Sequence, residues 1–229
     1  MEQKKIFKLL KLCVELSFPK TIYFNLKYFP LKTALHLPVF VYRRTSLYKM
    51  KGSIALKCPP QTGCVRIGSH GIGTQDIRYS RTIWDVSGTL VINGKCHLGR
   101  GSRISIGKNG ILTIGNKFSL SGDSAIICHK EIVFGDNCLL SWDILIMDTD
   151  FHHILNHSGE IINAPCPIHI GNHVWIGCRS TILKGVTIPD DVVISASSTI
   201  TKSLSEKHII IGGIGHNVSI LKRDVSWKD

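Results

Sequence analysis

Three histidines and two aspartates crowd into one short stretch, DTDFHHILNHSGE, residues 148–160. His152, His153 and His157 are the candidates for chemistry there. An imidazole changes protonation near neutral pH, so a positioned histidine can take the proton from a hydroxyl and make it nucleophilic. Asp148 or Asp150 could orient such a ring and fix its tautomer. A histidine in a loop is more often simply solvated, so this reading needs a scaffold that holds one of the three still. The cysteines at 13, 58, 64, 96, 128, 138, 166 and 178 form no CxxC pair and no disulfide-framework spacing. Their pattern predicts reduced packing thiols and a cytoplasmic location.

The scaffold is legible immediately downstream. Ile170, Ile176, Ile182, Ile188, Ile194 and Ile200 each follow the last by six residues, and a second row of small or aliphatic residues (Ile168, Val174, Ser180, Val186, Val192, Ser198) runs two positions ahead. An even period preserves strand alternation within each repeat while the chain turns once per repeat. A helix cannot hold it, since six residues rotate a helix by about 600° and scatter the isoleucines around it. A short strand and a tight turn per hexad stack them into one column, which is a β-solenoid. Looser hexads precede this run: Ile114, Leu120 and Ile126 form one set, Phe134, Leu140 and Ile146 the next. The two-residue slips between sets predict larger corners. The stretch 148–167 interrupts the repeat as an insertion, and long insertions on repeat proteins often carry function.

The 229 residues are 43% hydrophobic, enough for a real core, and the 21 glycines show no collagen period. No apolar run reaches the roughly 18–20 residues of a membrane span. Lys8 and Lys11 interrupt the N-terminal apolar stretch, so a signal peptide is not expected. Residues 1–57 hold twelve Lys/Arg against two acids, nearly all of the net charge of +12. Met1–Leu16 reads as an amphipathic helix. Pro19, Pro30 and Pro38 then punctuate short extended or one-turn pieces whose Tyr23, Phe24, Tyr28 and Phe29 would cap the open end of the solenoid. The alternative for this basic, aromatic segment is adsorption to an anionic membrane or a lipid-linked substrate. The expected divisions are 1–57 as extension and cap, 58–207 as solenoid with the inserted loop, and 208–229 as a C-terminal cap.

The segment IGNHVWIG (Ile170–Gly177), with the hexads and the DTDFHH stretch upstream, resembles the hexapeptide-repeat acyltransferases. The likeness is to galactoside and maltose O-acetyltransferases and polysaccharide-biosynthesis acetyltransferases, and covers most of residues 84–229. PKTIYFNLKYFPLKTALHLPV resembles the N-terminal extension of the bacterial surface-polysaccharide branch. The resemblance implies an all-β, left-handed parallel β-helix, usually trimeric, with acetyl-CoA bound between subunits. It implies an acetyl-CoA-dependent O-acetyltransferase acting on a sugar hydroxyl of a polysaccharide or its precursor. Members reading D-x-D-aromatic-H keep the first histidine, which makes His152 the base, His153 the runner-up, and Asp150 an orienting carboxylate. Trp175, Gly177 and Cys178 match positions lining the pantetheine channel, and Ala196, Thr201 and Lys202 the stretch receiving the rest of coenzyme A. The terminal G-x-P-A-K/R motif departs here to Gly215-His216-Asn217-Val218-Ser219, leaving Lys222 or Arg223 to replace its basic residue. Ser121, His129 and Trp142 are the acceptor-side candidates. Neither a metal nor a nucleic acid is expected.

Two other readings stay open. His152 and His157 have the H-x4-H spacing of the β-helix carbonic anhydrases, although Asn116 stands where a third histidine would be expected and His129 would need an unusual register. A non-catalytic solenoid serving as a binding module is the other.

Overall fold

The computed structural model describes residues 14–76 and 78–228. The helix expected over Met1–Leu16 therefore lies almost wholly outside the described residues. From Val39 onward the chain passes through three short strands per turn, each lying parallel to its counterpart one turn later. Three sheets of nine, seven and six strands result, and they enclose a three-sided prism. This is the left-handed parallel β-helix. In the regular run Trp175 lies opposite Val193, Thr181 opposite Thr199, and His169 opposite Thr187, three hexads per turn. In the coils before it Leu120 lies opposite Leu140 and Leu98 opposite Leu120. These turns are two and four residues longer, which accounts for the slips between hexad sets.

The six isoleucines of the regular run point inward and are at most 2% exposed. Burying each contributes about 1.5–3 kcal/mol, and the column continues into the core of the earlier coils. The second row lines the corners. Ser180 and Ser198 stand where the chain turns from the nine- to the seven-stranded sheet, and both hydroxyls donate to the Ser195 carbonyl, at 3.1 and 2.8 Å. A buried hydroxyl there is satisfied by backbone, so serine replaces valine without an orphaned polar atom. At the corner leading into the nine-stranded sheet, Lys117, Asn137, His173, Asp191 and His208 all have left-handed backbone, with φ between 55° and 58°. That strain is offset by a side-chain ladder. Asn116, Asp136, Asn172 and Asp190 each accept a backbone N–H from the previous coil, at 2.7–3.0 Å. Gly94 begins that column without a side chain because a Cβ would lie 2.1 Å from Asn116 Oδ1.

The N-terminal region departs from expectation. Phe18–Tyr28 is an eleven-residue α-helix, where short extended or one-turn pieces were expected, and Leu31–Ala34 is a single further turn. Thr21, Phe24, Asn25 and Tyr28 recur at helical spacing and face the prism, and this packing overrides the β-prone composition. Phe24 is fully buried against Trp84, ring centroids 5.2 Å apart, and Trp84 Nε1 donates to the Tyr28 hydroxyl at 3.1 Å. Thr21 and Asn25 satisfy the open edge of strand Val39–Val41. The Asn25 amide donates to Val39 O at 2.7 Å and accepts from Val39 N at 3.1 Å, while the Thr21 hydroxyl accepts from Val41 N at 3.0 Å. An edge strand left bare is an aggregation site, so the helix closes the first end of the solenoid. Strands Val39–Val41, Thr45–Met50 and Ser53–Leu56 already belong to the three sheets, so the solenoid begins well before the expected boundary at 58. At the other end Ile209–Gly212 extends the nine-stranded sheet, and Ser219–Arg223 pairs with it antiparallel as the closing strand.

Candidate functional site

Strand Leu145–Met147 belongs to the seven-stranded sheet and Ile168–Ile170 to the six-stranded one. Residues 148–167 therefore emerge from the edge between these two faces. Asp148 anchors the loop's root. Its carboxylate is fully buried and accepts three backbone N–H groups of the previous coil: His129 at 2.7 Å, Lys130 at 2.7 Å and Glu131 at 2.8 Å. Cys166 N closes the root by donating to Asp148 O at 3.0 Å. Beyond it the loop folds into a finger with an antiparallel bridge between Leu155 and Ile161. Asn156 accepts Ser158 N and Glu160 N at the turn, both at 2.9 Å.

His152 sits where this finger begins. Its N–H donates to Asp150 O at 2.7 Å and its carbonyl accepts from Asn163 Nδ2 at 2.8 Å. The same Asn163 amide donates to Asp150 Oδ2 at 2.9 Å, and Ile154 N donates to Asn163 Oδ1 at 2.7 Å. Asn163 thus fixes the backbone on both sides of the histidine. Lys184, from the corner of the next coil, donates to Asp150 Oδ2 at 2.6 Å and to Asn163 O at 2.7 Å. Those hydrogen bonds from Lys184 and Asn163 hold the Asp150 carboxyl below its usual range. Asp150 spends its carboxylate on Lys184 and Asn163, and its main chain is what touches His152. The histidine ring is exposed on the outside of the loop, as are those of His153 and His157. Phe151 packs edge-on to His129 at 5.0 Å, which joins the finger to the coil beneath. Among the described residues of this chain no group of three His, Cys, Asp or Glu that could hold a metal ion converges.

The other expected site residues sort by edge. Ser121, Trp142, Gly177, Cys178 and Ala196 lie along the corner between the nine- and seven-stranded sheets. Gly177 and Ala196 are in direct approach, a Cβ on Gly177 falling 2.6 Å from Ala196 N. His129, the His152 finger, Thr201 and Lys202 lie along the corner between the seven- and six-stranded sheets. One face, the seven-stranded one, separates the two groups. Ile127, Met147 and Leu183 form a half-buried apolar column across it. Trp175 is separate again, on the nine-stranded face, 37% exposed and donating to Ser141 Oγ at 3.2 Å. Of the two replacement cations near the C-terminus, Arg223 is engaged by Glu206 through Nε at 3.0 Å, whereas Lys222 has no acidic partner among the described residues.

Asn163 and Lys184 escaped the sequence reading, and so did Trp227. The Trp227 ring stacks on His173 at 4.3 Å and lies 6.1 Å from Trp175, so the C-terminal tail folds back beside the expected donor residue. The one available signal was a tryptophan in an otherwise polar tail.

Residues 167–202 match the family described as bacterial transferase hexapeptide, six repeats. The galactoside O-acetyltransferase of Escherichia coli K12 is 35% identical over 114 residues, 49% of this chain and 51% of that protein. The polysialic acid O-acetyltransferase of Escherichia coli O1:K1 / APEC is 29% identical over 137 residues, 59% of this chain and 41% of that protein. The chain thus matches about half the length of these curated relatives, or less. Among solved structures, the polySia-specific acetyltransferase NeuO aligns with a TM-score of 0.49 at 21% identity, over 83% of this chain and 72% of that one. The match to the hexapeptide family thus falls on residues 167–202, the regular run of the prism.

Proposed function

We propose that this protein is an acetyl-CoA-dependent O-acetyltransferase that acts on a sugar hydroxyl of a polysaccharide or its precursor. The clamped loop carries the reading: His152 is rigidly seated at an edge it shares with Lys202, on a scaffold whose matched relatives are named O-acetyltransferases. In the proposed reaction the His152 imidazole takes the acceptor hydroxyl proton as the oxygen attacks the thioester carbonyl. The tetrahedral intermediate collapses with loss of the coenzyme A sulfur, which recovers the proton from the imidazolium. No covalent intermediate on the protein is required, because holding donor and acceptor together supplies much of the rate. Trp175, Gly177, Cys178, Ala196, Thr201 and Lys202 are assigned to the donor, with Lys202 as a point charge for its phosphates. Ser121, His129 and Trp142 are assigned to the acceptor. The reading is tested by thiol release from acetyl-CoA on addition of crude polysaccharide precursors. Absence of acceptor-dependent release with every precursor fraction would sink it.

The active assembly is a homotrimer in this proposal. The His152 finger and Trp175 lie on different parts of one prism, so a centre using both draws them from neighbouring copies. The finger also exposes Phe151, Ile154, Leu155, Ile161 and Ile162, each about half or more, as a surface awaiting a partner. Light scattering should give three times the 25.4 kDa chain mass. A fully active monomer would overturn this.

We further assign the N-terminal helix a peripheral contact with anionic membrane, at the inner face of a reducing compartment. No helix among the described residues is long and apolar enough to cross a membrane, and the seven described cysteines are free thiols. Phe18, Ile22 and Leu26 recur every four residues on the helix face away from the prism, each about half exposed, followed by Leu31 and Leu35 at 64% and 74%. Lys27 and Lys32 flank them, the pattern of an interfacial helix. Binding to anionic vesicles should be strong at low salt and weaken as salt rises. Replacing Phe18, Ile22 and Leu26 by serine should abolish it while thiol release with a soluble acceptor persists. Absent or salt-insensitive binding would leave the helix only its capping role.

A further inference from the structure

The outer face of the nine-stranded sheet carries a trough that none of the site residues above, apart from Trp175 at its end, occupies. A cavity of about 640 Å³ opens over strands Val65–Ser69, Cys96–Gly99 and Phe118–Leu120, and one of about 340 Å³ continues it toward Leu139–Leu140. Lys117 lines both. Strand pairing puts Arg66, His97, Ser119, Leu139 and Trp175 in one outward column, each the neighbour of the next. Lys95 and Lys117 flank it on adjacent rungs, each one residue ahead of the paired Cys96 and Phe118. At about 4.8 Å per rung the column from Arg66 to Trp175 spans roughly 19 Å. The stack of Trp227 on His173 walls its far end.

Among the described residues no carboxylate lines either cavity, and neither Lys95 nor Lys117 has an acidic partner; Asp191 is taken up by His173 Nδ1 at 2.7 Å. Burial, with His70 beside it, holds the His97 imidazole down at about 4, so His97 is a neutral hydrogen-bonding floor, bridging Ser119 Oγ and Ser69 O at 3.4 and 3.3 Å. Arg66, Lys95 and Lys117 supply one cation per rung. A compact polyphosphate would call for cations gathered at one point, whereas a spaced row suits anions repeated along a chain. The flat Trp227–His173 plate suits the face of a sugar ring.

We propose that this trough binds an acidic oligosaccharide, with Arg66, Lys95 and Lys117 taking successive carboxylates and Trp227 stacking on a ring near Trp175. The proposal names the acceptor class for the acetyl transfer argued above and takes its purpose from that reading. The test is calorimetric binding by the full chain of an oligogalacturonate, an oligosialate, a neutral malto-oligosaccharide of equal length, and coenzyme A. Binding involves no acetyl transfer, so this measurement and thiol release can fail independently. At low salt at least one acidic chain should bind and the neutral chain should not. K95Q/K117Q, both at exposed positions, should weaken the acidic ligand about tenfold or more and flatten its salt dependence, with coenzyme A affinity and melting temperature unchanged. Equal binding of the neutral chain, no binding of either acidic chain, or an unaffected double variant would each overturn the proposal. Loss of coenzyme A affinity in K95Q/K117Q would do so too, by giving the trough to the donor's phosphates.

Discussion

His152→Ala is expected to lower kcat by about 10²–10⁴, the usual contribution of a positioned general base, with acetyl-CoA affinity close to that of the unaltered protein. The reason is a division of labour: the imidazole would act on the acceptor hydroxyl, while the residues assigned to the donor, Lys202 on the same edge included, would hold coenzyme A without it. Alanine keeps the main-chain contacts that seat this position, the donation to Asp150 O and the acceptance from Asn163. The variant therefore reports on the ring and not on the fold of the loop. His153→Ala should cost far less, because the proposal gives the proton transfer to the His152 ring alone. Stopped-flow and steady-state thiol release would measure both variants. A dead His153 variant beside an active His152 variant would shift the register by one. Full activity in both would refute the proposed base.

Most of the prism could be read from residue types alone because its period is strictly local. Ile170 to Ile200 announce the strands, and the even spacing fixes which side chains point inward. Corners are less legible. The coils containing Leu98, Leu120 and Leu140 differ in length, and nothing near 107–110 or 129–130 says how a longer corner satisfies its backbone. The N-terminal helix was misread because its β-prone residues gain their helical role from Trp84, some sixty positions away in sequence. In the candidate site, the loop histidines stood out by type, but what holds them did not. Asn163 and Lys184 reach the His152 segment from eleven and more positions downstream, and Trp227 reaches His173 across 54. Such contacts have no period, so only the folded chain displays them. Asp148 was singled out for chemistry as a possible orienter of histidine, yet its carboxylate serves three backbone donors.

That placement makes Asp148 the position where the fold and the site are most tightly joined. The corner at His129–Lys130 has extra residues whose N–H groups point away from the sheet ladders, and the Asp148 carboxylate from the following coil takes His129, Lys130 and Glu131 together. Hydrogen bonds to a charged acceptor are the stronger kind, and leaving their donors unmet in a closed corner costs more than the bonds contribute. Solvent can reach part of this corner, Lys130 being exposed, so the three bonds will not add in full. Asp148→Ala should therefore destabilise the protein by about 2–4 kcal/mol, a fall in melting temperature of roughly 5–15 °C for a chain of this size. Asp148→Asn keeps one acceptor oxygen but turns an NH₂ toward a donor, and should lose about half as much. Activity should fall further than stability explains, since the Asp148 carboxylate is what ties the root of the His152 loop to the coil beneath it. Measured well below the melting point, Asp148→Ala should show a lowered kcat and faster proteolysis within 148–167. Lys184→Met, which breaks the Asp150 pair but leaves the buried root intact, should do so much less. An Asp148→Ala protein that melts with the unaltered one would show that water replaces the carboxylate at this corner, and the link between fold and loop drawn here would fail.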